Sequence, residues 1–329
     1  MHEGRSKAIL LTTDPVTLAR VYGDRVDRIA ALLPTRPGAV TVADIAKNPG
    51  EFADVEVVFS TWGMPALTDA DLDHLPKLKA VFYAAGTVKG FAEPLLKRGI
   101  IVSSAWRANA LPVAEHTLGH ILLGLKQTLH LARVVRQGRG YPRQSSITGA
   151  YGATVGLIAL GAIGGRVVEL LKPFDLRVIA HDPFAKPVPG VEFVGLDDVF
   201  ARADVVSLHA PWIPATEGMI TGAHIRLMKP WSTFINTSRG KLVREDEMVP
   251  VLRERPDIQA VLDVTWPEPP AATSALYDLP NVLLTPHIAG SAGNEVQRMA
   301  DWMIEECARF LRGEPLTQAV TLGMLATMA

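Results

Sequence analysis

The chain has 329 residues, 48% of them hydrophobic, and a net charge of −1. That length suits about two domains of roughly 150 residues each, and no apolar run approaches the ~18–20 residues of a membrane helix. Lys and Arg are spread evenly, which argues against a nucleic-acid or anionic-lipid footprint, and the single cysteine, Cys307, excludes an internal disulfide and any cysteine-cluster metal site.

A lone cysteine also fits a reducing, cytoplasmic setting, and its helical surroundings predict a packed thiol. The first apolar stretch, Ala8-Ile-Leu-Leu11, is too short for a secretory h-region and reads as a strand. Strands are predicted over 7–12, 55–60, 79–83 and 100–103. A long helix is predicted over 111–136, with Asn109 as N-cap and Pro112 in the first turn. A polar, Gly-rich connector follows over 138–152. Further strands are predicted over 154–160, 176–181, 204–209, 233–236, 258–262 and 282–285, and a second long helix over 292–311. Helical segments between the strands give a βαβ rhythm, hence a doubly wound, mostly parallel α/β sheet. The two long helices read as connectors, so one domain is built from both chain ends and the other is inserted between them.

Four short stretches carry chemistry. The first is Gly156-Leu-Ile-Ala-Leu-Gly161-Ala-Ile-Gly164, a buried strand turning into a helix. Such a turn aims backbone N–H groups and a helix N-terminus at a phosphate. Gly161 lets the backbone approach a pyrophosphate, and Gly164 lets helix and strand pack closely. Ala159 stands where the dinucleotide fingerprint has its first glycine. If that turn needs a positive φ, alanine costs about 1 kcal/mol there, unless a shifted turn absorbs it. Asp182 ends the next strand, where an acid hydrogen-bonds a ribose 2′-hydroxyl and repels a 2′-phosphate, so NAD is expected over NADP.

The other three stretches supply a cation, a carboxylate and an imidazole, each beyond the carboxyl end of a strand, where ligands sit in an open α/β sheet. Asn236-Thr-Ser-Arg239-Gly240 offers a planar guanidinium that can grip a carboxylate bidentately. Glu268 lies in the stiff loop Pro267-Glu-Pro-Pro270, and His287 follows Pro286. Singly, such an arginine ends in a surface ion pair and such a histidine in a structural hydrogen bond; the three together, in order, point to anion binding with proton transfer. No metal site is expected.

With these motifs, and with Val113-Ala-Glu-His-Thr117, Leu208-His-Ala-Pro211, Leu227-Met-Lys-Pro230 and Pro286-His-Ile-Ala-Gly290, the chain resembles the D-isomer-specific 2-hydroxyacid dehydrogenase family. The resemblance covers nearly the whole chain. It implies two Rossmann-like domains. The NAD-binding domain, 109–291, is inserted into a discontinuous, flavodoxin-like substrate domain, 1–108 plus 292–329, with the active site in the cleft and usually a homodimer. It implies interconversion of a small 2-keto acid and its D-2-hydroxy acid by hydride transfer. By the family pattern Arg239 binds the substrate carboxylate, Glu268 pairs with the histidine, and His287 is the acid/base. Cofactor contacts would come from Leu160, Gly161, Ala162, Ile163, Gly164, Asp182, His209, Ala210, Pro211, Thr237, Ser238, Arg239, Asp263, His287 and Gly290. Substrate contacts would come from Trp62, Ala84, Ala85, Gly86 and Thr87, with Arg239 and His287.

The chain departs from the pattern at Ala159 and at Ala162, where the family often has an arginine that can touch the pyrophosphate. It departs again at Ala84–Thr87, where a Gly-rich turn followed by Asp-Asn is usual. No cluster of cations marks a phosphate pocket near Trp62, so a substrate without a phosphate is expected. Two other readings share the fold. One is an NAD-responsive, corepressor-like binding protein, disfavoured by the lack of basic arms. The other is a formate- or phosphite-type dehydrogenase; the formate enzymes usually have glutamine where this chain has Glu268.

Overall fold

The computed structural model describes residues 7–143 and 147–328. The chain forms two compact units, 1–109 with 291–329, and 110–290. Residues 1–6 and 329 lie outside the described residues, as do 144–146, which are part of the predicted connector.

In the first unit the strands are β1 (Ala8–Leu11), β2 (Thr35–Val40), β3 (Val57–Ser60), β4 (Ala80–Tyr83), β5 (Ile101–Ser104) and, from the chain's far end, β13 (Ala319–Val320). They form one sheet in the order β13-β5-β4-β3-β1-β2. All pairs are parallel except β13 on β5. The period-2 alternation of a strand divides its side chains between two faces. Ile9, Leu11, Val58 and Val81 enter one apolar core, while Ala8, Leu10, Phe59 and Phe82 enter another, with the helix Glu295–Leu311. Covered faces on both sides explain why β1 and β4 read as unbroken apolar runs. Cys307 is buried in that helix, and burial pushes its thiol up to about 12.

The second unit holds β6 (Thr154–Ile158), β7 (Arg177–His181), β8 (Val191–Phe193), β9 (Val205–Leu208), β10 (Thr233–Asn236), β11 (Gln259–Leu262) and β12 (Val282–Leu284). Their order is β12-β11-β10-β9-β6-β7-β8, parallel throughout. The order reverses between β6 and β9, which places a topological switch point, the usual ligand crevice of such sheets, at those two strand ends. Val155, Leu157 and Val261 face one core; Val206, Phe234 and Leu262 face the other.

Ten strands lie where the sequence pattern predicts them, within two residues at either end. Three others are not predicted. β2 contains Pro37 and Gly38 and sits at a sheet edge, where a missing N–H is tolerated. β8 is a three-residue, partly exposed edge strand, and β13 has two residues. The predicted helix over 111–136 is corrected to two. The first, Trp106–Leu125, begins earlier, so Pro112 lies inside it rather than in its first turn. Asn109 is not an N-cap; its Oδ1 accepts the Ser291 N–H at 2.9 Å. Gln127 then adopts φ +52, breaking the helix before Thr128–Gly138. The Gln127 side chain stabilises the break by donating to the carbonyls of Gly124 and Trp231. The last long helix starts at Glu295, three residues later than predicted. Among the described residues no helix is long and apolar enough to cross a membrane.

Candidate active site

The glycine-rich turn begins where β6 ends. Ala159 has φ +71, so the turn is not shifted to relieve the alanine. Left-handed backbone costs a non-glycine residue about 1–2 kcal/mol. Replacing Ala159 with glycine should therefore stabilise the fold by roughly 1 kcal/mol, after the added freedom of the unfolded chain is set against the relief. Urea unfolding of the variant checks this; an unchanged or lower midpoint would mean that the turn carries no strain.

Gly161 precedes the helix Ala162–Leu171. A Cβ built on Gly161 meets nothing within 4 Å, whereas one on Gly164 would lie 2.1 Å from the Ala159 carbonyl oxygen. Gly164 thus packs helix on strand, and Gly161 leaves open space beside a helix N-terminus, the kind of backbone cradle a pyrophosphate fills. Asp182, half-buried just past β7, accepts the Leu160 N–H at 2.8 Å through Oδ2, and the Phe184 and Ala185 N–H groups at 2.8 and 2.9 Å through Oδ1. The carboxylate therefore also ties the glycine turn to the end of β7.

His209 follows β9, across the switch point. It is 8% exposed, and neither ring nitrogen has a hydrogen-bond partner. Burial alone pushes its pKa down to about 4, so the ring is neutral. Ala210 accepts the Ser238 hydroxyl at 2.5 Å, and Thr237 pairs with Thr117 at 3.3 Å. These contacts close the ends of β9 and β10 against each other and against the helix Trp106–Leu125.

The cation, carboxylate and imidazole hang from the ends of three consecutive neighbours, β10, β11 and β12. Arg239 follows β10, with Asn236 bracing it: the Asn236 amide donates to the Arg239 carbonyl at 3.1 Å, and its oxygen accepts the Ser238 N–H at 3.0 Å. Gly240 is obligatory here, since a Cβ on it would lie 2.0 Å from the Thr265 carbonyl carbon. The half-buried guanidinium donates to the Ser238 carbonyl at 2.7 Å. Burial lowers its pKa and the Glu268 charge opposes that shift. The ion pairs formed among the described residues include none with Arg239.

Glu268 lies beyond β11, the middle strand of the three. Its Oε1 is 2.5 Å from His287 Nδ1. His287 adopts φ +54, a conformation that costs a histidine and that a surrounding network must over-determine. Its own N–H donates to the carbonyls of Asp263 and Thr285, both at 3.0 Å. The buried Asp263 carboxylate accepts the Thr285 hydroxyl at 2.6 Å, the Ile288 N–H at 2.8 Å and the Ala289 N–H at 2.9 Å. Asp263, expected only as a cofactor contact, has both oxygens engaged in shaping the histidine loop. Glu245 is a further residue that the pattern does not single out; its Oε1 accepts the Trp266 N–H at 2.7 Å.

The predicted substrate residues lie in the first unit. Trp62 is half-buried against both of its cores. Ala84 and Ala85 are buried, and Ser104 donates to the carbonyls of Ala85 and Gly86 at 2.8 and 2.6 Å. Among the described residues no group of three or more His, Cys, Asp or Glu is placed to hold a metal.

Residues 118–289 match the family model for the D-isomer specific 2-hydroxyacid dehydrogenase NAD binding domain. A glyoxylate reductase of Korarchaeum cryptofilum is 32% identical over 257 residues, covering 75% of this chain and 77% of that protein. A D-3-phosphoglycerate dehydrogenase of Mycobacterium tuberculosis is also 32% identical, over 253 residues, but this chain spans only about half its length, 48%. Among solved structures, a probable 2-hydroxyacid dehydrogenase from Rhizobium etli CFN 42, in complex with NADP, HEPES and L(+)-tartaric acid, is 27% identical with a TM-score of 0.74, covering 98% of this chain and 100% of that one. The NAD-complexed D-isomer specific 2-hydroxyacid dehydrogenase from Lactobacillus delbrueckii ssp. bulgaricus has a TM-score of 0.78 at 21% identity, over 96% and 100% of the two chains; it shares the fold. By the extent of the family match and by the glyoxylate reductase relative, this chain belongs to the D-isomer specific 2-hydroxyacid dehydrogenase family.

Proposed function

We infer that the protein is an NAD(H)-dependent oxidoreductase that interconverts a small 2-keto acid and its D-2-hydroxy acid. The observation that carries this reading is the 2.5 Å contact between His287 Nδ1 and Glu268 beside a half-buried arginine without an ion-pair partner among the described residues. The open backbone at Gly161, the helix N-terminus after it and Asp182 at the end of β7 fit a dinucleotide, held by the turn Leu160–Gly164 and by Asp182. When bound, the reduced nicotinamide supplies a hydride to the keto carbon.

The chain's own groups do the rest. Arg239 grips the substrate carboxylate with two parallel N–H donors and polarises the keto oxygen. Its partial burial strengthens that grip, because water competes less. Glu268 accepts from Nδ1–H of His287, which fixes the tautomer and leaves Nε2 to carry the transferred proton. In reduction the imidazolium gives that proton to the alkoxide oxygen; in oxidation neutral His287 removes it from the hydroxyl. Trp62 and Ala84–Thr87 are assigned to the substrate by the family pattern. No cation lies within Ala84–Thr87 or within 60–65, so the proposed substrate lacks a phosphate.

A panel of 2-keto acids from glyoxylate to phenylpyruvate, followed by NADH absorbance, tests the activity. Turnover of unphosphorylated keto acids is expected; no turnover across the panel overturns the reading. NAD is proposed over NADP because a carboxylate at the end of the second strand of such a domain, here Asp182, would repel a 2′-phosphate. Asp182→Ala should narrow the NAD preference in kcat/KM and, by removing three backbone hydrogen bonds, lower the melting temperature. An unchanged cofactor ratio would remove Asp182 from the ribose site. We also propose a homodimer. The helix Thr128–Gly138 has no buried residue, yet Leu131, Val134 and Val135 share one face at helical spacing. Sedimentation showing a monomer at micromolar concentration would exclude it.

A further inference from the structure

The loop that carries Glu268 is held from outside as well as by its prolines. Gly240 packs backbone to backbone against Thr265. Lys241 Nζ lies 4.5 Å from the Trp266 ring centroid, and Trp212 lies 5.8 Å from it, centroid to centroid. These contacts fix the indole but are weakly directional. Two directional ties hold the loop: Glu245 Oε1 takes the Trp266 N–H at 2.7 Å, two residues before Glu268, and Tyr277 Oη donates to the Pro270 carbonyl at 3.2 Å, two residues after it. Thr265 Oγ1, by contrast, donates to the Pro267 carbonyl and stays within the loop.

Glu245 is an unusual choice for this work. It is the first residue of the helix Glu245–Glu254, followed by Asp246 and Glu247. A carboxylate in a first helical turn is ordinarily favourable in solvent, against the helix dipole. Asp246 is exposed, but Glu245 is half-buried and its pKa is pushed up to about 6 by desolvation, which the Trp266 N–H partly offsets. A charge held at such a cost is held for the bond it makes, since burial without a partner would be worse still.

The geometry points to Glu245 as a positioning residue for the acid–base pair: by holding the Trp266 N–H, it fixes the leading side of the segment Thr265–Pro270, whose far side Tyr277 holds, so that the Glu268 carboxylate stays on His287 Nδ1. This rests on the acid–base reading of His287 given above. A displacement of about 1 Å at a reacting group can cost on the order of 10²-fold in rate, so a loop tie of this kind acts on kcat while leaving the carboxylate grip at Arg239 in place.

The test uses the intact protein and three variants. Glu245→Gln keeps the acceptor oxygen, Glu245→Ala removes it, and Glu245→Asp withdraws it by one methylene. The first readout is the downfield proton resonance of His287 Nδ1–H, recorded without substrate and assigned by its loss in Glu268→Ala. The second is kcat and KM with the best keto acid of the panel. In Glu245→Ala the resonance should be lost or shifted upfield, and kcat should fall about 10- to 100-fold with KM little changed. Glu245→Gln should restore both towards the parent. If the alanine variant does not fold, Glu245→Asp should show the same changes in smaller degree. Retention of the resonance and of kcat in the alanine and aspartate variants overturns the assignment, even if their melting temperatures drop. A glutamine variant as impaired as alanine overturns it as well. The two readings fail separately: a parent protein that reduces no keto acid, yet loses the resonance in Glu245→Ala, sinks the activity and keeps the positioning role.

Discussion

Replacing His287 with alanine should lower kcat for keto-acid reduction by about 10²–10⁴, the usual worth of a positioned general acid. The loss should fall on kcat more than on KM, because Arg239 hangs from a different strand and keeps its place. The imidazole is 46% exposed and its backbone is strained, but that backbone is held by Asp263 and Thr285 independently of the ring. Alanine enters the left-handed region less readily than histidine and the Glu268 hydrogen bond is lost, so the variant should melt somewhat below the parent but stay folded. Steady-state kinetics and a thermal melt together check both halves. Unchanged kcat would take His287 out of the chemistry and leave Arg239 and Glu268 as a plain ion-binding site.

Acid should destabilise the protein through His209. Its folded pKa of about 4 lies below the ordinary value of 6.5 because burial disfavours the charged ring. The unfolded chain therefore takes up a proton first as pH falls. The stability linked to this group is fully present above pH 6.5 and is lost as pH falls towards 4, by about 2 kcal/mol at pH 5 and about 3 kcal/mol in all. His120, His130 and His224 are also lowered mainly by burial and add in the same direction. Chemical denaturation at pH 7 and pH 5, compared between the parent and His209→Leu, isolates the term: the variant should lose less stability on acidification. It should also be no less stable at pH 5, because an apolar side chain ends the burial of two unpartnered ring nitrogens. Equal losses in both proteins would show that water or another group satisfies this imidazole.

The sheet was legible because both units bury their strands on two faces, which leaves unbroken apolar runs such as 8–11 and 155–160 in the sequence. What escaped was polar and local. Pro37 and Gly38 hide an edge strand, and nothing in Lys126-Gln127 announces a break, since its stabilising partner, the Trp231 carbonyl, lies 104 residues away. The candidate site was legible in its chemistry-bearing side chains, because strand-end motifs keep a guanidinium, a carboxylate and an imidazole in chain order. Their supports were not. Asp263 reads as one more acid at a strand end, and only the folded chain shows its two oxygens organising residues 285–289. Glu245 is one of three acids in a row, and composition cannot tell the one that reaches Trp266 from its neighbours. Ala159 lay between: the sequence raised a strained turn, and the backbone adopts one.

The seat of Glu268 on the middle of three adjoining strands has a consequence for how such a site can change. Neighbouring strands lie about 4.8 Å apart, so backbone pairing fixes the order in which the three loops spring from the sheet, while the ties of each loop, such as Glu245 on Trp266, set where its side chain ends. A change of loop length leaves that order intact but displaces the side chain unless those ties are kept. Exchanging the places of β10 and β11 would instead carry the anion to the flank and set the guanidinium against the imidazole.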